Sequence, residues 1–181
     1  MSIILVTGGN RGIGLATVEI LGSPNARCYD PDRLQGITAK LEALEITITD
    51  DSSIHAAVKS VEEKYGKLDV LVNNAGGVSI PKSDDFADIR TSWPQTLDCF
   101  VTSQVLVTKG FLPLLRKSDW GRVIMVSSAR GSLGRNKGFE MYNCSKAALN
   151  LATIDFQNTE LKQVEREEDR ITFWATSPGY C

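Results

Sequence analysis

The sequence predicts an α/β fold: a doubly wound parallel sheet of about six strands, covered by helices on both faces. Three observations carry that prediction. Short apolar runs of strand type alternate with helix-forming segments from one end of the chain to the other. The first apolar run leads at once into a glycine-rich turn and then a helix-forming stretch. The 181 residues, 42% hydrophobic and 23% charged, supply a sizeable core for a single domain over 1–181.

The elements follow in order. Residues 3–6, Ile-Ile-Leu-Val, read as a strand and 15–21 as a helix. Gly22, Ser23, Pro24 and Asn25 make a turn. Residues 26–29 predict a very short second strand, and Asp30 with Pro31 opens a helix reaching about residue 44. Residues 45–49, Glu-Ile-Thr-Ile-Thr, alternate with period two and predict a third strand. Asp50 to Ser53 caps a helix over 54–65. Residues 68–72 predict a buried strand ending in Asn73, Asn74, Ala75 and Gly76, and 79–88 read as polar loop. A long helix is predicted from about 94 to 117, with Gly110 as its expected breaking point. Residues 121–126 form the next strand, ending at Ser127 and Ser128. A glycine-bearing loop over 131–138 leads to a helix over about 141–160. The charge run at 164–169 reads as a solvated face, and 171–175 as the last strand, closing on Ser177, Pro178 and Gly179. The sequence contains no internal repeat, low-complexity tract or sign of a second domain.

Composition excludes several functions. A formal net charge of -2 leaves no electrostatic footprint for nucleic acid. No stretch is long and apolar enough to span a membrane. The N-terminus has no basic region ahead of an apolar segment, and its first apolar residues are needed as a strand, so the expected location is the cytoplasm. Cys28, Cys99, Cys144 and Cys181 are scattered, without a C-x-x-C pair, and read as free thiols with no metal site. The single histidine, His55, lies in a polar helical stretch and is expected at the surface, which disfavours a Ser-His-Asp hydrolase.

Two groups of residues carry chemistry. Thr7-Gly8-Gly9-Asn10-Arg11-Gly12-Ile13-Gly14 sits between a strand and a helix, where unpaired amides and the helix dipole bind phosphate. The ligand expected there is the pyrophosphate of a dinucleotide. The spacing is G-x-x-x-G-x-G, not the G-x-G-x-x-G fingerprint, and no Gly-Lys-Ser/Thr follows to make a P-loop. Tyr142 and Lys146, four apart, share a helix face. An ammonium near a phenol favours the phenolate and makes it a usable proton donor, although such a pair also fits an ordinary surface helix. Ser128, at the C-terminal end of a parallel strand, could orient a carbonyl oxygen beside that phenol, or simply bond to its local backbone.

Five motifs follow one another along the chain: 7–14, 73–76, Ser127-Ser128, Tyr142-x-x-x-Lys146 and Ser177-Pro178-Gly179. Together they resemble the short-chain dehydrogenase/reductase family over essentially the whole chain, and Phe111-Leu-Pro-Leu-Leu115 resembles its carbonyl-reductase-like members. The resemblance implies a Rossmann-like oxidoreductase that moves a hydride between a nicotinamide cofactor and a small carbonyl or alcohol substrate. It implies Tyr142 as acid-base residue, Lys146 as its tuner and ribose ligand, and Ser128 as the hydrogen-bond partner of the substrate oxygen. Gly8, Asn10, Arg11, Gly12, Ile13 and Gly14 would wrap the pyrophosphate. Asn74, Ala75 and Gly76 would border the adenosine side, and Pro178 and Gly179 would also touch the cofactor. Arg11 before Gly12 favours NADP(H), while Asp30 and Asp32 leave NAD(H) open.

The chain departs from the family pattern in four places. The second-strand region is short. Thr47 stands where the family places an acid or amide near adenine. Phe100 stands where an asparagine holds a relay water. The sequence ends at Cys181, where relatives continue with a nicotinamide cover, a substrate lid and a seventh strand. These departures lead us to expect either a shortened variant or an incomplete gene model of a working enzyme, weakly active or inactive as it stands, whose apolar last strand is an edge that invites pairing, including as a homo-oligomer. The competing expectation is a non-catalytic cofactor-binding or interaction protein built on the same fold.

Overall fold

The computed structural model describes residues 2–22, 41–134 and 138–179. The expected strand at 26–29, most of the helix expected after it, Asp30, Asp32, Cys28 and Cys181 lie outside the described residues.

Four strands, β1 (Ile4–Val6), β2 (Val70–Asn73), β3 (Arg122–Val126) and β4 (Thr172–Thr176), form one parallel sheet in the order β1-β2-β3-β4. In register, Val6 lies beside Val72, Val72 beside Ile124, and Ile124 beside Trp174. All four strands point the same way, so Thr7, Asn74, Ser127 and Ser177 meet along one rim. The Thr7 amide donates to the Val72 carbonyl and the Ser127 amide to the Thr176 carbonyl, which closes the ladder at that rim.

Side chains alternate across a strand, so Leu71, Val123 and Phe173 share a face. They pack on Ile54, Ala57 and Val61 of α2 (Asp51–Tyr65), on Val107, Phe111, Leu114 and Leu115 of α4 (Ser103–Leu115), and on Leu149 of α5 (Glu140–Gln163). Each fully buried side chain of this kind is worth about 1.5–3 kcal/mol. α1 (Gly12–Gly22) packs on β1 and contributes nothing to that core. α2 is capped as its sequence demands: the Asp50 carboxylate accepts from the Ser52 amide, and Gly66 ends the helix at φ 72°.

Residues 45–49 do not form the strand their alternation predicts. Ile48 is buried and Ile46 packs against the core, so the alternation satisfies burial. The backbone bonds locally instead: the Thr47 amide donates to Ser53 Oγ, and its carbonyl accepts from the Asp50 amide in a turn.

The long helix also differs. It begins earlier, as α3 (Phe86–Leu97), widens into a π-helical turn at Asp98–Thr102, and continues as α4. Gly110 does not break it. A Cβ there would lie 3.3 Å from Ile54 and Val58, so the glycine lets α4 approach α2.

Candidate active site

The glycine turn is built by close approach. Gly8 has φ 66°, the left-handed region that glycine enters without strain. A Cβ on Gly14 would overlap the Gly8 carbonyl oxygen and Asn74 Nδ2. Thr7 ties this turn to the end of β2. Its hydroxyl accepts from the amides of Asn74 and Ala75, both at 3.0 Å, while Asn74 Nδ2 donates to the Thr7 carbonyl at 3.0 Å and to that of Gly8 at 3.3 Å. Asn10, Arg11, Gly12 and Ile13 are exposed at the mouth of the turn. Gly12, at φ 55°, has no atom of the described residues within 4 Å of where a Cβ would stand.

A continuous line of contacts runs from this turn to Tyr142. Gly8 faces Ala75, and a Cβ on Gly76 would overlap the Phe100 ring. That ring meets the Tyr142 ring edge-on, with centroids 5.4 Å apart, and its centre lies 4.3 Å from Lys146 Nζ. Lys146 Nζ donates to the Val126 carbonyl at 2.8 Å and lies 5.7 Å from the Tyr142 ring centre. The ammonium is buried at 4% exposure. Burial pushes Lys146 down to about 8, a smaller effect of the Cys99 thiol acting the other way. Burial also pushes the Cys99 thiol up.

Ser128 follows β3. Its Oγ accepts from the Arg130 amide at 3.2 Å, which leaves its hydroxyl hydrogen for another acceptor. The short turn Ala129–Gly131 lies against α5, since a Cβ on Gly131 would come 2.8 Å from the backbone of Lys146. Ser177 Oγ accepts from the Ala129 amide at 2.9 Å, which brings the exposed Pro178 and Gly179 to the same rim.

The sequence singled out the glycine turn, Asn74 to Gly76, Ser128, Tyr142, Lys146 and 178–179, and these residues gather at the C-terminal rim of the sheet. Three neighbours gave no comparable signal. Thr7 was visible only as part of a motif, although its hydroxyl is the knot between β1 and β2. Gln104, one turn after Phe100, donates to the Ala75 carbonyl at 3.0 Å. Phe139 stacks on Tyr142 at 5.8 Å, with a left-handed φ of 66° that no pattern announces for a phenylalanine. His55 is exposed, away from this cluster.

The short chain dehydrogenase family matches residues 2–181. A short-chain dehydrogenase/reductase of Aspergillus fumigatus is 33% identical over 202 residues, covering 98% of this chain and 77% of its own length. The crystal structure of a short-chain dehydrogenase from Streptomyces avermitilis superposes with a TM-score of 0.75 at 25% identity, over 99% of this chain and 65% of that one. An NADPH-bound carbonyl reductase from chicken fatty liver does so with a TM-score of 0.75 at 27% identity, over 98% and 80% of the two chains. With family match, fold and motif order in agreement, the chain belongs to the short-chain dehydrogenase/reductase family of oxidoreductases, within its carbonyl-reductase type.

Proposed function

We propose that this chain reduces a small carbonyl compound, or oxidises the matching alcohol, with NADP(H), and that Tyr142 is the acid-base residue. The observation that carries the reading is the buried Lys146 ammonium beside the Tyr142 ring, four residues away on α5. When bound, the nicotinamide cofactor supplies or accepts the hydride. The chain's own residues handle the proton. In the reducing direction the Tyr142 phenol gives its proton to the substrate oxygen, and the Lys146 ammonium beside the ring offsets the negative charge that develops there. The Ser128 hydroxyl, its lone pair already engaged by Arg130, donates to the same oxygen. In the oxidising direction the proton returns to Tyr142.

The residues at the glycine turn suit a dinucleotide. Among the described residues Gly12 faces open space, Gly8 and Gly14 leave no room for side chains, and the start of α1 supplies backbone amides of the kind that bind phosphate. Arg11, exposed beside Gly12, would pair with the 2′-phosphate, and the NADPH carried by the chicken relative agrees with that choice.

The test is NADPH oxidation against a carbonyl panel, alongside titration of both cofactors. Tyr142→Phe should lower turnover by about 10²–10⁴-fold and leave NADPH affinity unchanged. Arg11→Ala should weaken NADPH binding but not NADH binding. Full activity in Tyr142→Phe would sink the acid-base assignment. Binding without turnover in the wild-type chain would favour a non-catalytic cofactor-binding protein.

A further inference from the structure

Lys146 Nζ has three N–H bonds to place, and one donates to the Val126 carbonyl at 2.8 Å. The Phe100 ring centre stands 4.3 Å from the same nitrogen, well inside the range of cation–π attraction. Phe100 is itself buried, at 7% exposure. Behind it lies Gly76, whose missing side chain leaves the space the ring fills. The ring edge-stacks on Tyr142, so one aromatic group touches both members of the pair.

We propose that Phe100 is the positioning residue for Lys146, its ring holding the ammonium charged and fixed beside Tyr142. The proposal rests on the roles of Tyr142 and Lys146 given above. The ring acts in two opposed ways. As apolar bulk it removes water from the amine and favours the neutral form. As a quadrupole it attracts the cation. Among the described residues the ionisable side chains beside the ammonium are Tyr142 on α5 and Cys99 on the π-helical turn. The two actions of the ring separate by substitution. An aliphatic side chain keeps the bulk and loses the attraction; a polar one loses the bulk; tyrosine keeps both.

The experiment is a pH titration of the cofactor-free protein labelled with ¹³C at lysine Cε, the Lys146 signal being identified by its loss in Lys146→Met. Phe100→Leu and Phe100→Met should each lower the Lys146 midpoint by about half a unit to one unit. Phe100→Tyr should restore the wild-type midpoint, and Phe100→Asn should raise it. Two aliphatic variants guard against one failing to fold. An unmoved midpoint in both overturns the proposal. Because the readout needs no turnover, the two readings fail separately. A shifted midpoint in a chain that binds NADPH without reducing any carbonyl upholds Phe100 and removes the oxidoreductase reading. Full turnover with an unmoved midpoint does the reverse.

Discussion

Lys146 brings a charge into a site whose burial makes that charge costlier than it is in water. Its folded value, about 8, lies below the ordinary lysine value of 10.5. Between those two the unfolded chain binds more protons, so this residue makes stability rise with pH across that window. Lys146→Met should abolish that rise and stabilise the protein near neutrality, on the order of 1–3 kcal/mol, in urea unfolding followed at pH 7 and pH 10. A variant less stable than wild type at pH 7 would show that the Val126 and Phe100 contacts outweigh burial. The same titration predicts that carbonyl reduction falls above pH about 8, as the ammonium that eases proton release from Tyr142 is lost. Gly14 offers a second residue-scale check. Gly14→Ala places a methyl group on the Gly8 carbonyl oxygen, and should cost about 1–3 kcal/mol and weaken cofactor binding in a fluorescence titration.

Two buried carboxylates join the elements. Asp69, just before β2, accepts from the Ile3 amide at 2.7 Å, Ser118 Oγ at 2.5 Å and Lys67 Nζ at 2.9 Å, and so ties β1 to the turn after α4. Burial alone would push its carboxyl up, but the Ser118, Ile3 and Lys67 bonds outweigh burial and hold it below 3.8. Its stabilisation is complete above the unfolded value and is lost as pH falls through the lower folded one. Asp69→Ala should destabilise by about 3 kcal/mol and flatten the acid limb of the unfolding curve below pH about 4; an unchanged limb would remove Asp69 as its source. Glu160 on α5 receives both arms of Arg116, at 2.6 and 2.5 Å, and the Ile171 amide at 3.1 Å, which docks α4 and β4 onto one side chain. At this scale the sequence was readable where pattern and partner agree. α5 needs only its own periodicity, and β3 its apolar run between Gly121 and Ser127. Residues 45–49 misled because alternation reports burial: Ile48 is buried and Ile46 half-buried against the core, without a ladder. The Tyr142–Lys146 pair was legible from its spacing on one helix. Phe100 was legible only through the family pattern, as the residue in place of an asparagine; its contact with Lys146 was not, because that contact comes from a separate helix whose π-helical turn no local propensity reveals.

Across the whole molecule, the described helical core lies on one sheet face, while the other thins out toward β4. Val70 and Val72 are buried there, Ile124 is half-buried, and Trp174 is 42% exposed under the Arg122 guanidinium. Among the described residues β4 pairs only with β3. Beside it, a groove of about 290 Å³ between β4 and α5 is lined by Ile154, Gln157, Phe173 and Trp174. Apolar side chains next to an unpaired edge favour association. The purified 181-residue chain should therefore sediment as a concentration-dependent oligomer, and Trp174→Glu, facing Arg122, should shift it toward monomer. A single monomeric species at every concentration would show that this surface is inert.

The π-helical turn at Asp98–Thr102 sets a phase. Thr96, Phe100, Gln104 and Thr108 are all buried, at every fourth position. In a 3.6-residue helix each such step overshoots by about 40°, so the inward row would spiral off the site within three steps. The wider turn takes back part of that rotation by accommodating one surplus residue. Losing a single codon here, for example that of Val101, would leave an unbroken and locally more regular helix. It would also turn everything on one side of the deletion by about 100° relative to the other. Phe100 could then face Lys146, or Gln104 could reach the Ala75 carbonyl, but not both.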